Sequence, residues 1–228
     1  MVTEDYQAWI EYPQYRWVYN KLELALKLGY DAGPACVPIT KTNNYIIRPT
    51  YNLYGMGIGS HVRRIDISEA DDMQNHALIP PGYFWCEYFE GDHISIDFKR
   101  TKSPSSSIFA WEPFHAMQGI ENKKELTKFE KWIRIELTDI LLPDFINEID
   151  CPHLNIEMIG GKIIEVHLRR GNQVLYDQEI GASVTPLWKG QEHYINSDRY
   201  IENEDPTVSY DASGYLQNVR IGYLRDEN

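Results

Sequence analysis

The sequence predicts a mixed domain of the α+β or α/β class, and three observations predict it. Runs of strand formers such as Tyr83-Phe84-Trp85-Cys86-Glu87-Tyr88-Phe89 are interleaved with stretches whose apolar residues recur at helical spacing. The 228 residues, 43% of them apolar, supply a sizeable buried core and exclude a fibrous or wholly disordered chain. No internal repeat is present, which excludes a solenoid or a propeller.

Residues 1–14 are tyrosine-rich and read as irregular up to Pro13. From Tyr15 the apolar positions Trp17, Leu22, Leu24 and Leu28 predict a helix that Gly29 stops. Pro34 and Pro38 force an extended connection into a short strand, Tyr45-Ile46-Ile47-Arg48-Pro49, and a glycine loop, Gly55-Met56-Gly57-Ile58-Gly59, follows. A second strand spans His61 to Ile67, and a polar helical turn starts near Ser68. Pro80-Pro81-Gly82 breaks the chain ahead of the aromatic strand, Glu90-Gly91-Asp92 turns it, and His93 to Phe98 alternates as a half-buried strand. Thr101 to Ser107 has the composition of a surface loop. The clearest helix is predicted beyond it. Asn122 and Glu125 form a capping pair, Leu126, Phe129, Ile133, Leu137 and Ile140 repeat at helical spacing, and Pro143 ends the run. Two strands, Leu154 to Ile159 and Lys162 to Arg169, then flank Gly160-Gly161, while the last 55 residues are polar and carry no clear pattern.

Thirty-four acidic residues against 22 basic ones give a net charge of −12, which argues against a nucleic-acid backbone or an anionic membrane as partner. Cys36, Cys86 and Cys151 lie far apart, as reduced structural thiols do, rather than as a disulfide framework or a zinc set. The start, Met1-Val2-Thr3-Glu4-Asp5-Tyr6, lacks the basic and apolar regions of a signal peptide, and no run reaches the roughly 18 apolar residues of a membrane span. The expected location is the cytoplasm.

Four features can carry chemistry. Lys21 stands at the start of the predicted helix, in Tyr19-Asn20-Lys21-Leu22, and alone it reads as a solvated lysine. Arg48 ends a strand ahead of a glycine loop, a combination that lets backbone N–H groups approach phosphate oxygens beside a cation, although taken by itself the piece reads better as a plain turn. Glu87, with Tyr88 and Phe89 after it, stands on an aromatic strand able to meet a purine edge, or on the solvent face of an ordinary strand. In the last hairpin Glu165, His167 and Arg169 share one face by the two-residue period. A carboxylate, an imidazole and a guanidinium in register suit a metal bridged to phosphate. A two-residue turn at Gly160-Gly161 would put Glu157 opposite Ile164, whereas a three-residue loop through Lys162 would put it opposite Glu165, where only an intervening cation relieves the repulsion. The three-residue loop is the expected one.

Taken in order, these features resemble the ATP-grasp superfamily, best known for carboxylate–amine and carboxylate–thiol ligases. The resemblance covers residues 15–172, with 1–14 ahead of it and 173–228 as an extension packed on the same domain. It implies an α+β fold of two small subdomains with the nucleotide cleft between them. It implies that Lys21 and Arg48 reach the phosphates of ATP, that Gly55 and Gly57 lie on the flexible loop, and that Glu87 with the backbone of Tyr88 and Phe89 holds adenine. His93 stands where some members bind ribose. Glu157, Glu165 and His167 would hold magnesium, and Arg169 would stabilise an acyl phosphate, with Arg48 assisting. Arg48 replaces the usual lysine and His167 the usual asparagine, and imidazole suits magnesium less well than an amide oxygen. Only about 15 residues precede the first helix, where the superfamily normally has a substrate domain. The implied activity is ATP- and magnesium-dependent activation of a small-molecule or peptide carboxylate for attack by an amine or thiol, with a homodimer or a partner protein supplying the missing domain. The alternative is a nucleotide-binding or interaction module of the same fold without turnover, and a third reading is that the likeness is accidental.

Overall fold

Antiparallel pairing organises the chain into two principal sheets, which lie on either side of a short helix. The computed structural model describes residues 4–53, 57, 59–68, 79–102, 109–122, 125–138, 140–171, 173–202, 209–210, 216–217 and 220–227. The smaller sheet has the order β1-β4-β2-β3, from Ala32–Pro34 (β1), Asn43–Pro49 (β2), His61–Ile65 (β3) and Tyr83–Glu87 (β4). The larger begins with His93–Lys102 (β5), Phe109–Asn122 (β6), Glu125–Arg134 (β7), His153–Ile159 (β8) and Lys162–His167 (β9). Ser183–Trp188 (β10), Tyr200–Glu202 (β11) and Arg220–Arg225 (β14) complete it, in the order β11-β14-β10-β7-β6-β5-β8-β9. Between β11 and β14, Ser209–Tyr210 (β12) pairs with Leu216–Gln217 (β13). Two sheets with few helices make this an α+β fold, and the strands β10, β11 and β14 of the carboxy-terminal segment extend the large sheet beyond β7.

The first fourteen residues, expected to be irregular, include α1 (Asp5–Glu11), on which Ala8 is fully buried and Gln7 Oε1 accepts from the Glu4 N–H at 3.2 Å. The single helix expected from Tyr15 is two pieces. A 3₁₀ helix runs Pro13–Tyr19, and α2 runs Lys21–Lys27. Asn20 separates them because its side chain accepts from the Glu23 N–H at 3.1 Å, which makes it an N-cap. Gly29, at φ +76°, ends α2 as expected.

Of the helix expected over 122–140, Glu125–Arg134 is instead β7, the described residues beyond it are in neither helix nor strand, and Asn122 and Glu125 pair across the end of a hairpin. The strand carries a β-bulge. Glu121 pairs with Phe129 and Ile120 with Lys131, so one extra residue sits on β7 and Phe129 turns to the same face as Trp132. Their rings meet at 4.4 Å over Gly119, where any Cβ would strike Phe129. Of the loop expected at Thr101 to Ser107, Thr101 and Lys102 belong to β5 and the rest, like most of the helical turn expected after Ser68, lies outside the described residues.

The main core joins both ends of the sequence. Ala8, Val18, Tyr19 and Leu24 from the amino-terminal helices pack against Ile96, Leu154, Ile156 and Val166 of β5, β8 and β9. Each large apolar side chain buried there contributes about 1.5–3 kcal/mol. A second cluster, Ala25 with Phe84 and Cys86, fixes α2 to the small sheet. Helix α2 thus holds the two sheets at a set distance, and the cleft between them opens at its first turn.

Candidate functional site: a charged cleft between the sheets

The β8–β9 hairpin builds the floor of the cleft. Gly160 and Gly161 adopt left-handed φ values of +54° and +77° and Ile159 pairs with Lys162, so the turn has two residues and the three-residue loop is not formed. Met158 pairs with Ile163 and then Glu157 pairs with Glu165, leaving Ile164 as the extra residue of a bulge. The bulge brings the two carboxylates face to face, the outcome expected of the longer loop, and Asn155 pairs with His167 one step on. Two facing carboxylates are repulsive unless cations surround them, and here they do.

Every ligand-type side chain has one atom tied down and another left facing inward. Glu165 Oε1 accepts from Lys21 Nζ, at the first turn of α2, and from Arg48 at 3.2 Å on β2, whose other terminal nitrogen donates to the Ile164 carbonyl at 2.9 Å. Glu157 Oε2 lies 3.3 Å from His93 Nε2, and His93 Nδ1 lies 3.5 Å from Glu121 Oε1. His167 Nδ1 meets both oxygens of Asp5 at 3.0 and 3.1 Å. The remaining atoms turn towards one another: His167 Nε2 lies 3.8 Å from Glu157 Oε1 and 3.6 Å from Glu165 Oε2, and the three residues offer ligand atoms within 4.8 Å of one another.

Burial and charge oppose each other throughout. Burial alone would raise the Glu157 and Glu165 carboxyls, but His93, His167 and Lys21 together at Glu157, and Lys21, Arg48 and His167 together at Glu165, outweigh it, so both are held below the usual range. Burial would lower His93, but hydrogen bonds to Glu121 and Glu157 push it up to about 9, so it is an imidazolium at neutral pH. Burial likewise works against Asp5, whose carboxyl is nevertheless held far below the ordinary value by Arg169 and His167; His167 is raised in turn by Asp5.

The sequence-selected residues therefore fall into three groups. Lys21, Arg48, His93, Glu157, Glu165, His167 and Arg169 all line one cleft, together with Gly57, Tyr88 and Phe89. Glu87 does not point into it as a purine acceptor would: its Oε1 accepts from the Asp31 N–H at 3.0 Å, and the Tyr88 N–H is spent on the Asn44 carbonyl. Gly55 lies outside the described residues. His93, placed at a ribose position by resemblance, instead bridges two carboxylates. Arg169 is committed: Nε and one terminal nitrogen bind Asp5 at 2.9 and 3.0 Å, and the other terminal nitrogen binds the Arg170 carbonyl at 2.8 Å. Two residues escaped the sequence reading, Asp5 and Glu121. Their partners stand 28 or more positions away, and neither sits in a pattern of its own.

The cleft can bind a polyphosphate, because Lys21 and Arg48 offer cations from two different elements and the facing carboxylates offer a metal ligand set. No protein-family model and no curated protein sequence matches the chain. Among solved structures, carboxyaminoimidazole ribonucleotide synthase from Aspergillus clavatus, crystallised with ATP, is 11% identical over 92% of this chain and 68% of its own, with a TM-score of 0.50. L-amino acid ligase from Bacillus licheniformis (8% identical, 90% of this chain, 66% of its own, TM-score 0.46) matches more loosely. So does N5-carboxyaminoimidazole synthetase from Staphylococcus aureus (8%, 91%, 66%, TM-score 0.48). The chain thus spans about two thirds of the length of these structures. The likeness is one of fold alone, and it is consistent with the ATP-grasp-like α+β fold that the sequence suggests.

Proposed function

We propose that the protein binds ATP in the cleft between its two sheets and uses it to activate a carboxylate as an acyl phosphate, which an amine or thiol then attacks. The observation that carries this reading is the convergence of Lys21 and Arg48, from α2 and β2, on a carboxylate that itself faces a second carboxylate. In the reaction a carboxylate oxygen attacks the γ-phosphorus and ADP leaves; the nucleophile then attacks the acyl carbon and inorganic phosphate leaves. Lys21 and Arg48 would neutralise charge on the transferring phosphoryl group. Glu157, Glu165 and His167 would hold a divalent cation, magnesium in the simplest form, and such a cation supplies charge neutralisation on the phosphates. These residues fit the group, because His167 Nε2 is buried without a hydrogen-bond partner and aimed between two carboxylates. Two N–H groups of Arg169 remain beyond its bonds to Asp5 and Arg170, enough to meet an acyl-phosphate oxygen.

The nucleotide-handling part of this reading falls in residues 15–172, with 173–228 contributing the opposite wall. Pro186, Trp188, Arg220 and Tyr223 of β10 and β14 line the cleft, which supports substrate recognition by the carboxy-terminal segment, alone or completed by a second copy or a partner protein. Among the described residues no helix is long and apolar enough to cross a membrane.

A second reading, a nucleotide-binding or interaction module of the same fold without turnover, is favoured by the internal pairing of Arg169 with Asp5 and of Lys21 with Glu165. A thermal-shift titration with ATP, ADP and GTP, with and without magnesium, tests both. Adenine-specific, metal-dependent stabilisation of about 2.7 kcal/mol at a hundredfold excess over Kd supports nucleotide binding. ATP hydrolysis on addition of carboxylate and amine mixtures then separates ligase from module. A flat melt with every nucleotide refutes nucleotide binding and leaves an interaction module or an accidental likeness.

A further inference from the structure

The three inward-facing atoms of the cleft floor are unlike in chemistry: two are carboxylate oxygens, Glu157 Oε1 and Glu165 Oε2, and one is an imidazole nitrogen, His167 Nε2. Each belongs to a side chain anchored through its other atom. His93 holds Glu157 through Oε2, Lys21 and Arg48 hold Glu165 through Oε1, and Asp5 holds His167 through Nδ1. His167 is buried, and its Nε2 has no hydrogen-bond partner. An unpartnered buried nitrogen is costly, so the position is explained best by something that accepts its lone pair.

An imidazole whose far nitrogen donates to a carboxylate is the arrangement in which histidine ligates metals best. The carboxylate fixes the tautomer and the ring orientation, and makes the free nitrogen more basic. Asp5 is buried to 2% exposure and comes from α1, 162 residues before His167, so the contact is a product of the tertiary fold rather than of local geometry. Arg169 grips the same carboxylate through two nitrogens and fixes its plane. Magnesium prefers six oxygen ligands and gains little from an imidazole, whereas first-row transition ions bind nitrogen and carboxylate oxygen together.

We propose that this site selects a first-row transition ion, with manganese(II) as its probe, over magnesium, and that Asp5 is the positioning residue that turns His167 Nε2 into the third ligand. The proposal deepens the ligand set assigned under the proposed function and rests on it, replacing magnesium at this position.

The test uses the full chain without nucleotide, so that ATP cannot carry the metal. Manganese(II) binding is followed by electron paramagnetic resonance, and magnesium by competition against it. The unsubstituted protein should bind manganese at least tenfold more tightly than magnesium, and the bound ion should show electron spin-echo modulation from a directly coordinated ¹⁴N. His167→Asn should abolish that modulation and bring the two affinities within about threefold. Asp5→Asn should weaken manganese by about 10–100-fold while changing magnesium little, as expected for loss of an outer partner. Should Asp5→Asn prove unfolded by circular dichroism, Asp5→Glu serves in its place, with manganese affinity falling while the ¹⁴N signal remains. Bound manganese without nitrogen modulation, or equal affinity for the two ions, overturns the proposal, as does failure of either ion to bind. ATP binding together with an absent ¹⁴N signal refutes the metal assignment alone. A ¹⁴N-coupled manganese site with no response to nucleotide refutes the ATP reading alone.

Discussion

Removing the Asp5 carboxylate tests how far the amino-terminal helix holds the site together. Asp5 is 2% exposed, accepts from Arg169 at 2.9 and 3.0 Å, meets His167 Nδ1 at 3.0 and 3.1 Å and is hydrogen-bonded by Tyr19 as well, so three side chains depend on it. Asp5→Ala leaves a buried guanidinium and a buried imidazole facing a void. Breaking a buried ion pair from one side costs about 3–5 kcal/mol, because the stranded charge keeps its desolvation penalty. Against a total stability of about 5–15 kcal/mol for a domain, that is at least about a fifth of the whole. Urea unfolding followed by circular dichroism at pH 7 should show the midpoint falling with little change in slope. Arg169→Met should cost less than Asp5→Ala. The double variant should cost less than the two single changes together, because it leaves no stranded guanidinium. The pH dependence gives an independent check. The folded-state carboxyl of Asp5 lies below its ordinary 3.8, so its contribution is present above that value and is lost as pH falls below it. The gap between the unsubstituted chain and Asp5→Ala should therefore be widest near neutral pH and narrow in acid. A cost under about 1 kcal/mol at pH 7 would show that Arg169 and His167 are solvated or repartnered, and the clamp described here would be wrong.

Three further outcomes follow from the same geometry. Glu165→Gln should leave the fold intact and abolish metal-dependent ATP hydrolysis in a phosphate-release assay, and retained hydrolysis would remove Glu165 from the ligand set. His93, raised from 6.5 to about 9 by Glu121 and Glu157, contributes stability that is complete below pH 6.5 and lost as pH climbs through 9, by up to about 3 kcal/mol; melts across that range should show the loss in the unsubstituted protein and not in His93→Gln. Gly160→Ala should destabilise by well over 2 kcal/mol, because its Cβ would strike the Glu90 carbonyl, whereas Gly161→Ala meets nothing within 4 Å and should cost only the 1–2 kcal/mol of a left-handed alanine.

The strands were largely legible because their period is short and local. Tyr83 to Glu87 and His93 to Phe98 declare themselves through β-branched and aromatic runs bounded by turns, and both are strands. The segment after Asn122 misled for a definable reason. Leu126, Phe129, Ile133, Leu137 and Ile140 keep helical spacing, but a bulge at Glu130 turns Phe129 to the face of Trp132 and leaves Ile133 on the other, so the interval of four between Phe129 and Ile133 marks no shared face. No pattern rule applied to one strand detects a bulge, since the extra residue is defined only against the partner strand. The same limit governed the last hairpin. That Glu157 and Glu165 face each other was inferred from repulsion and cation binding, but the inference placed the extra residue in the turn, whereas it sits at Ile164.

The site divides along the same line between local and non-local information. Glu165, His167 and Arg169 announce themselves by sharing one face of a strand, and Lys21 and Arg48 by standing at the ends of their elements. What converts these five side chains into a site is supplied by residues with no local signature. Asp5, 164 positions from Arg169, fixes the arginine and the histidine, and Glu121 on the neighbouring strand holds His93 charged so that it can hold Glu157. The floor therefore carries compensated charge before any ligand arrives. Glu165 is paired to the two cations that a polyphosphate would need, and a nucleotide entering the cleft would have to compete with Glu165 for Lys21 and Arg48. That competition is affordable only where a divalent ion takes over the released carboxylate oxygen. Phosphate binding at this floor is consequently favoured by a metal already in place: a nucleotide alone strands the carboxylate oxygen that it frees, and a nucleotide beside a bound ion does not.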